Sequence, residues 1–202
     1  ACMVPGSKIL IKDVGVNPLR DGFLVSLIEM GANINIINKR QIAGELVADI
    51  RVIYSSNLIG IEVPKKRSAR MIDEYPILSM VAATAKGSTI MKGVRELRYK
   101  ESDRIEAVAK GLKDNGVEVS VEEDTLIVTG APGAIFEGGS EINASNDHRI
   151  AMSFLCLGLV SKRSITVHGT KSIKTSFPNF VELMTSIGAV LKSVRNNNQL
   201  FK

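Results

Sequence analysis

Charged side chains of both signs crowd into residues 98–105, which read Arg-Tyr-Lys-Glu-Ser-Asp-Arg-Ile. Lys100, Glu101 and Arg104 fall within this stretch, where an alternating strand pattern gives way to a helix pattern. A solvated surface does not need both signs so close together, so the cluster favours chemistry on a small anion. The alternative is that Lys100 and Glu101 form an exposed ion pair worth less than about 1 kcal/mol.

A second charged cluster, Asn-Asp-His-Arg at residues 146–149, opens another predicted helix, and Asp73 and Glu74 precede Pro76 at a third. Pro is favoured in the first turn of a helix, and acidic residues there act as caps. An arginine at a helix start opposes the helix dipole instead. Arginines at two such starts therefore indicate an anion that guanidinium and backbone N–H groups hold together.

His148 extends this predicted site with a group that titrates near neutral pH. If the three helix starts share one end of the domain, the set can bind phosphate or carboxylate and move protons beside it. The alternative is that His148 is a surface histidine next to the capping residue Asp147. His168 alternates within a strand pattern, so we predict a structural role for it.

The chain repeats one α/β unit three times, with a period of roughly 80 residues. In each copy an alternating strand pattern precedes a helix pattern that ends at a glycine, the residue preferred in a left-handed C-terminal cap. Asp103 followed by Glu106 predicts a capping box for the second helix. The strand and helix patterns of the three copies are 7–14 with 18–30, 88–94 with 103–115 and 164–170 with 178–187.

Residues 75–83 and 149–157 are apolar nearly all round and precede the strands of the second and third copies, so we predict buried central helices. Residues 1–6 precede the first copy and suggest only the last turn of an equivalent helix. We therefore predict one domain over residues 1–194, with an incomplete first unit, as the C-terminal part of a longer protein. Residues 195–202 are predicted to be a polar, frayed tail. The alternative is a natural short chain with an irregular start.

Composition argues against several classes of function. The net charge is +5, but the basic residues are spread along the chain and aromatic residues make up only 4%, which disfavours nucleic-acid binding. Cys2 and Cys156 give no disulfide framework, and with only two histidines we expect no metal site. No signal peptide or run of roughly 20 apolar residues is visible, so we expect a cytoplasmic protein.

At its charged motifs the sequence resembles the 5-enolpyruvylshikimate-3-phosphate synthase family. The matching segments are residues 72–76, 97–104, 146–152 and 176–180. The resemblance implies a two-domain enzyme in which each domain is an inverse α/β prism of three βαβαββ units, with helices inside and sheets outside. This chain would be the C-terminal domain, which fits the three copies and the apolar central helices.

The resemblance also implies a reaction of the shikimate pathway of aromatic amino-acid biosynthesis. The enolpyruvyl group of phosphoenolpyruvate is transferred to the 5-hydroxyl of shikimate 3-phosphate, and phosphate is released, without metal or organic cofactor. By position, Asp73 would accept the hydroxyl proton. Glu101 would protonate the methylene carbon of phosphoenolpyruvate and later help to remove a proton, and Lys100 would lie between the two substrates.

Other positions would bind the substrates. Arg104 and Arg149 would hold the phosphoenolpyruvate anion, with His148 beside its phosphate. Lys174 matches a lysine that some members place before the Phe-Pro pair, although this chain has one extra residue in that interval. Glu96 occupies a position on the shikimate side where some members have Asn.

The resemblance assigns the remaining substrate contacts to the N-terminal domain and the first strand of the family, so the chain alone is predicted to be inactive. Two alternatives stay open. One is the domain of an enolpyruvyl transferase that acts on a UDP-sugar. The other is a non-catalytic module that binds an anionic ligand or another protein. Nucleic-acid binding is the last candidate, and a steep salt dependence would be its evidence.

Overall fold

The computed structural model describes residues 1–131, 136–196 and 198–201. Its first unit contains one helix and three strands. These are β1 (Lys8–Gly15), α1 (Gly22–Glu29), β2 (Asn33–Ile42) and β3 (Glu45–Ile53). The strands form an antiparallel sheet in the order β1-β3-β2, so β1 has a partner on one side only among the described residues.

The second unit is larger and contains the charged motifs around Asp73 and Lys100. Its elements are β4 (Glu62–Val63), α2 (Tyr75–Ala83), β5 (Gly87–Lys92), α3 (Arg104–Asp114), β6 (Glu118–Glu122) and β7 (Thr125–Gly130). The sheet order is β4-β5-β7-β6, with β4 parallel to β5 and the other pairs antiparallel. β6 and β7 form a hairpin in which Glu122 pairs with Thr125.

The third unit repeats this topology. Its elements, with a preceding short strand, are β8 (Phe136–Gly138), β9 (Glu141–Asn143), α4 (His148–Gly158), β10 (Ser161–Arg163), β11 (Thr166–His168), α5 (Ile173–Ser176), α6 (Phe180–Ser186), β12 (Ser193–Asn196) and β13 (Asn198–Phe201). The main sheet has the order β12-β13-β11-β9, and β9 is parallel to β11, as β4 is to β5. The prediction of three α/β units is therefore confirmed.

Two local predictions are corrected. The stretch 195–202 was predicted to be a frayed tail, but its described residues lie in an antiparallel hairpin whose second strand pairs with β11. Its backbone satisfies hydrogen-bonding groups that β11 would otherwise expose, whatever the polarity of the side chains. Residues 1–6 form bends and a turn instead of the end of a helix, with the Ser7 N–H donating to the Val4 carbonyl at 3.1 Å.

The central helices are α2 and α4, as predicted. Eight of the nine residues of α2 are buried, including Tyr75, and Phe154 of α4 is fully buried. Gly111 lets α3 approach α4 closely, because a Cβ at this position would lie 2.2 Å from Phe154 Cζ. At their N-terminal ends the two helices also meet, through Arg104 of α3 and the α4 cap Asp147. No helix in the described ranges is long and apolar enough to cross a membrane.

Candidate active site

The N-terminal ends of α2, α3 and α4 meet at one end of the domain, and carboxylates cap two of them. Asp103 Oδ1 accepts a hydrogen bond from the Glu106 N–H at 3.0 Å, which confirms the Asp103 half of the predicted capping box. Asp147 Oδ1 accepts from the Arg149 N–H at 2.9 Å and from the Ile150 N–H at 3.4 Å. These caps fix the backbone from which the charged side chains of the site project.

Arg104 lies at the centre of the cluster and is only 1% exposed. Its Nε donates to Asp147 Oδ2 at 2.8 Å, its Nη1 to Asp73 Oδ1 at 3.0 Å and its Nη2 to Glu101 Oε2 at 2.5 Å. Burial alone would lower the pKa of Arg104, but the hydrogen bond and charge of Asp147 outweigh it and raise that pKa. One guanidinium thus connects three separate segments of the chain.

Asp147 is the buried partner of this arginine, with a side chain that does not reach solvent. Ser102 Oγ also donates to its Oδ2 at 3.0 Å. Burial would raise the pKa of Asp147, but the hydrogen bond and charge of Arg104 hold it below its ordinary value. Sequence analysis identified Asp147 only as a cap, and the structure adds its ion pair with Arg104.

Asp73 and Lys100 face each other at the partly open side of the cluster. Lys100 Nζ lies 3.7 Å from Asp73 Oδ1 and 2.8 Å from Glu96 Oε1. Burial would raise the pKa of Asp73, but the charge of Arg149 and a hydrogen bond from Arg104 lower it. The hydrogen bond with Glu96 raises the pKa of Lys100. The pair is therefore a carboxylate facing an ammonium group across the neutral pH range.

Arg149 reaches back from α4 to the residues before α2. Its Nη1 donates to the Asp73 carbonyl at 3.0 Å and to Glu74 Oε1 at 3.2 Å. Its side chain stays 32% exposed, and that of Glu101 is 51% exposed. Both therefore remain accessible to a ligand that enters from this side.

The predicted site residues divide into those that the structure brings together and those that it does not. The network of ion pairs contains Asp73, Lys100, Glu101, Arg104 and Arg149. His148 is half-buried at the start of α4, between two members of the cluster. Lys174 is exposed on α5, and the hydrogen bonds and ion pairs of the described residues do not connect it to the network.

Arg20 is a cation of the cluster that the sequence analysis missed. Its Nη2 lies 3.5 Å from Glu74 Oε1, the same oxygen that accepts from Arg149. The predicted first helix began near residue 18, which placed Arg20 inside it. The helix begins at Gly22, after a turn closed by the Arg20 N–H donating to the Asn17 carbonyl at 2.8 Å. Arg20 therefore lies at a helix start, as Arg104 and Arg149 do, and correct placement of the start of α1 would have identified it.

The arrangement places two carboxylates, a lysine and an arginine around one partly open side, which is suited to binding an anion and moving protons next to it. In the part of the chain that the structure describes, no group of three or more His, Cys, Asp or Glu side chains is placed to hold a metal ion.

Comparison with known proteins identifies relatives along almost the whole chain. A sequence model of EPSP synthase (3-phosphoshikimate 1-carboxyvinyltransferase) matches residues 1–184. Proteins named 3-phosphoshikimate 1-carboxyvinyltransferase from Cereibacter sphaeroides and Chelativorans sp. are 55% and 51% identical over 191 and 192 residues. Each match covers 95% of this chain but only 42% of the relative, so the chain spans less than half the length of these curated relatives.

Solved structures give the same result. The structure titled EPSP synthase from Acinetobacter baumannii superposes with a TM-score of 0.90 at 40% identity, and covers 96% of this chain and 44% of that one. The enolpyruvyl transferase NikO from Streptomyces tendae superposes with a TM-score of 0.68 at 20% identity, over 92% of this chain and 40% of that one. The latter likeness concerns the fold alone.

Proposed function

Because this chain belongs to the EPSP synthase family, we propose that it forms one wall of the active site of a 3-phosphoshikimate 1-carboxyvinyltransferase. The full-length enzyme transfers the enolpyruvyl group of phosphoenolpyruvate to the 5-hydroxyl of shikimate 3-phosphate and releases phosphate. The observation that carries the proposal is the gathering of Asp73, Lys100, Glu101 and Arg149 at one partly open side of the domain.

The proposed chemistry begins with attack of the 5-hydroxyl oxygen on C2 of phosphoenolpyruvate. The hydroxyl proton passes to Asp73, and Glu101 delivers a proton to the methylene carbon C3, which gives a tetrahedral intermediate. In the elimination, the Glu101 carboxylate takes a proton back from C3 while the bond from C2 to the phosphate oxygen breaks. The phosphate leaves with the proton that Asp73 had accepted. The ionised state of Asp73, favoured by its neighbouring cations, supports the role of proton acceptor, since only the carboxylate can take a proton.

The proposed anion contacts follow from exposure and charge. Arg149 and Lys100 would bind phosphoenolpyruvate directly, since both side chains remain partly exposed, and His148 would lie beside its phosphate. Arg104 differs, because its guanidinium is committed to internal ion pairs. It would contact the anion only when the exposed Glu101 releases it. For Lys174, substrate binding stays a proposal without support from the described contacts.

We further propose that the rest of a longer protein completes the first unit. In the second and third units, the strand that corresponds to β1 has a parallel partner: β5 pairs with β4, and β11 pairs with β9. In the described ranges β1 pairs only with β3. Leu10 and Ile11 of β1 are 44% and 47% exposed. Beside this strand lies a groove of about 370 Å³, lined by apolar side chains such as Ile9, Leu159 and Met184 and by polar ones such as Ser161 and Lys162. An added strand and helix would cover these surfaces.

An N-terminal domain of the same protein would then close over the charged side and supply the remaining contacts to shikimate 3-phosphate. We also propose a cytoplasmic location, in keeping with the two free cysteines, Cys2 and Cys156, whose thiol pKa values are raised by burial. Expression of the full-length protein with a fluorescent label would test the location.

A steady-state assay of the full-length protein tests the proposed reaction. With phosphoenolpyruvate and shikimate 3-phosphate we expect phosphate release and a carboxyvinyl product, and with a UDP-sugar acceptor we expect none. The 202-residue chain alone should give no turnover until the N-terminal half is added. Turnover by the chain alone, or a preference for the UDP-sugar, would contradict the proposal.

A further inference from the structure

A turn of the first unit is fitted closely against the segment that carries Asp73. Arg20 Nη2 lies 3.5 Å from Glu74 Oε1, and Asp21 forms an ion pair with Arg70. At the next position, a Cβ on Gly22 would lie 3.0 Å from Met71 Cβ. Three consecutive residues, Arg20 to Gly22, thus lie against the segment 70–74, which includes Asp73.

The same turn holds the backbone of Arg20 in one conformation. The Leu19 N–H donates to Asn17 Oδ1 at 2.9 Å, and the Arg20 N–H donates to the Asn17 carbonyl at 2.8 Å. Pro18 fixes one backbone dihedral of this turn, and an Asn at its first position is typical. Because the backbone is already ordered, Arg20 loses less conformational freedom when its side chain pairs with Glu74.

Glu74 lies between two guanidinium groups. Its Oε1 is 3.2 Å from Arg149 Nη1 and 3.5 Å from Arg20 Nη2, while its Oε2 is buried and has no hydrogen-bond partner among the described residues. A single oxygen therefore interacts with both cations. Arg149 is offset both by Glu74 and by Asp73, whose Oδ2 lies 3.9 Å from Arg149 Nη2, and Arg20 adds a positive charge beside Glu74.

We infer that Arg20 is a positioning residue that keeps Arg149 available to the anionic substrate by neutralising Glu74. The inference rests on the proposed function, in which Arg149 binds phosphoenolpyruvate. An anion at Arg149 competes with Glu74 for the same guanidinium, and a second cation on Glu74 weakens that competition. Arg20 acts through Glu74 and Arg149 and does not touch the substrate.

The test is the Arg20→Ala variant of the full-length protein. We expect the KM for phosphoenolpyruvate to rise roughly two- to fivefold, the range of a partly exposed ion pair. The kcat and the KM for shikimate 3-phosphate should change less than this. Arg20→Lys keeps the charge and should retain most of the affinity. Arg51→Ala, which removes an exposed arginine on β3, is the matched control and should leave all constants unchanged.

A second arm separates positioning from a general structural effect. In a Glu74→Gln background the carboxylate charge is gone, so Arg20→Ala should no longer change the KM for phosphoenolpyruvate. An unchanged KM in the single variant, or an equal effect in both backgrounds, would overturn the inference. If the unaltered protein has no turnover, the proposed function fails. Equilibrium binding of phosphoenolpyruvate to the same variants then tests the positioning role of Arg20. Equal affinity of Arg20→Ala and the unaltered protein, or no binding to either, would overturn that role.

Discussion

Arg104 Nε lies 2.8 Å from Asp147 Oδ2, and both side chains are buried. The pair joins the first residue of α3 to the N-terminal cap of α4. It also holds the central guanidinium in the orientation in which its other nitrogens meet Asp73 and Glu101. The open part of the site therefore depends on a buried ion pair beneath it.

Replacing Asp147 with Asn should strongly destabilise the protein. Asn can still cap α4, but the buried charge of Arg104 loses its main partner. We expect the free energy of unfolding to fall by about 3 kcal/mol, the lower end for breaking a buried pair, because Asp73 and Glu101 still contact the guanidinium. Urea titration measures this difference.

Asp114→Asn is the control for that substitution. Asp114 pairs with Lys110 at 2.6 Å on the exposed side of α3. The chemical change is the same, but water solvates both partners, so the loss should stay below about 0.5 kcal/mol. Equal losses in the two variants would contradict the assignment of the buried pair.

Glu96→Gln should narrow the pH range of activity on the alkaline side. The hydrogen bond with Glu96 raises the pKa of Lys100, so the ammonium group stays charged to higher pH than an ordinary lysine. Removing the carboxylate charge lowers that pKa, and the alkaline limb of the kcat/KM profile should move to lower pH. The profile of the full-length protein between about pH 7 and 11, around the ordinary lysine pKa, measures the shift.

The control for this experiment is Glu62→Gln, which removes the carboxylate from an exposed pair with Lys92 at 2.8 Å in the second sheet. The alkaline limb of the kcat/KM profile of this variant should coincide with that of the unaltered protein. An alkaline limb that does not move in Glu96→Gln would show that Lys100 ionisation does not limit the reaction.

Gly111→Ala tests the close approach of α3 and α4. The added Cβ would lie 2.2 Å from Phe154 Cζ, so the helices must separate or the ring must move. We expect a loss of about 1–3 kcal/mol, as for other overpacked cores, despite the better helix propensity of Ala. Thermal unfolding measures the loss, and Gly111→Ala with Phe154→Leu should recover part of it.

Gly158→Ala is the control for the helix positions, because its added Cβ would lie 3.7 Å from Ile165 Cβ, an ordinary contact. That variant should be no less stable than the original chain. A Gly111→Ala variant as stable as Gly158→Ala would contradict the close packing of α3 against α4.

The three units were predictable because their signals are local. Alternating strand patterns, terminal glycines and the apolar character of residues 75–83 each depend on a short stretch of sequence. The meeting of the helix starts also followed from the repeat. Even so, the hairpin of β12 and β13 was missed, because backbone pairing with β11 does not require apolar side chains.

The partners of each charge were not predictable. The sequence presents Arg104 beside Glu101 and Asp103, but its buried partner is Asp147, 43 positions further along the chain. That pairing depends on how α3 packs against α4, which includes the close contact of Gly111 with Phe154 and is not visible in the local sequence pattern. Arg20 was missed for a different reason, since its turn depends on a side-chain hydrogen bond of Asn17 that helix periodicity does not reveal.

The most direct test of the central claim is the turnover of Glu101→Gln in the full-length protein, with phosphoenolpyruvate and shikimate 3-phosphate, beside Glu118→Gln on the exposed strand β6. Glu101 is proposed to transfer protons to and from substrate carbon. Its loss should therefore lower kcat at least about a hundredfold, while Glu118→Gln keeps full activity. A Glu101→Gln enzyme with the kcat of the control would contradict the account.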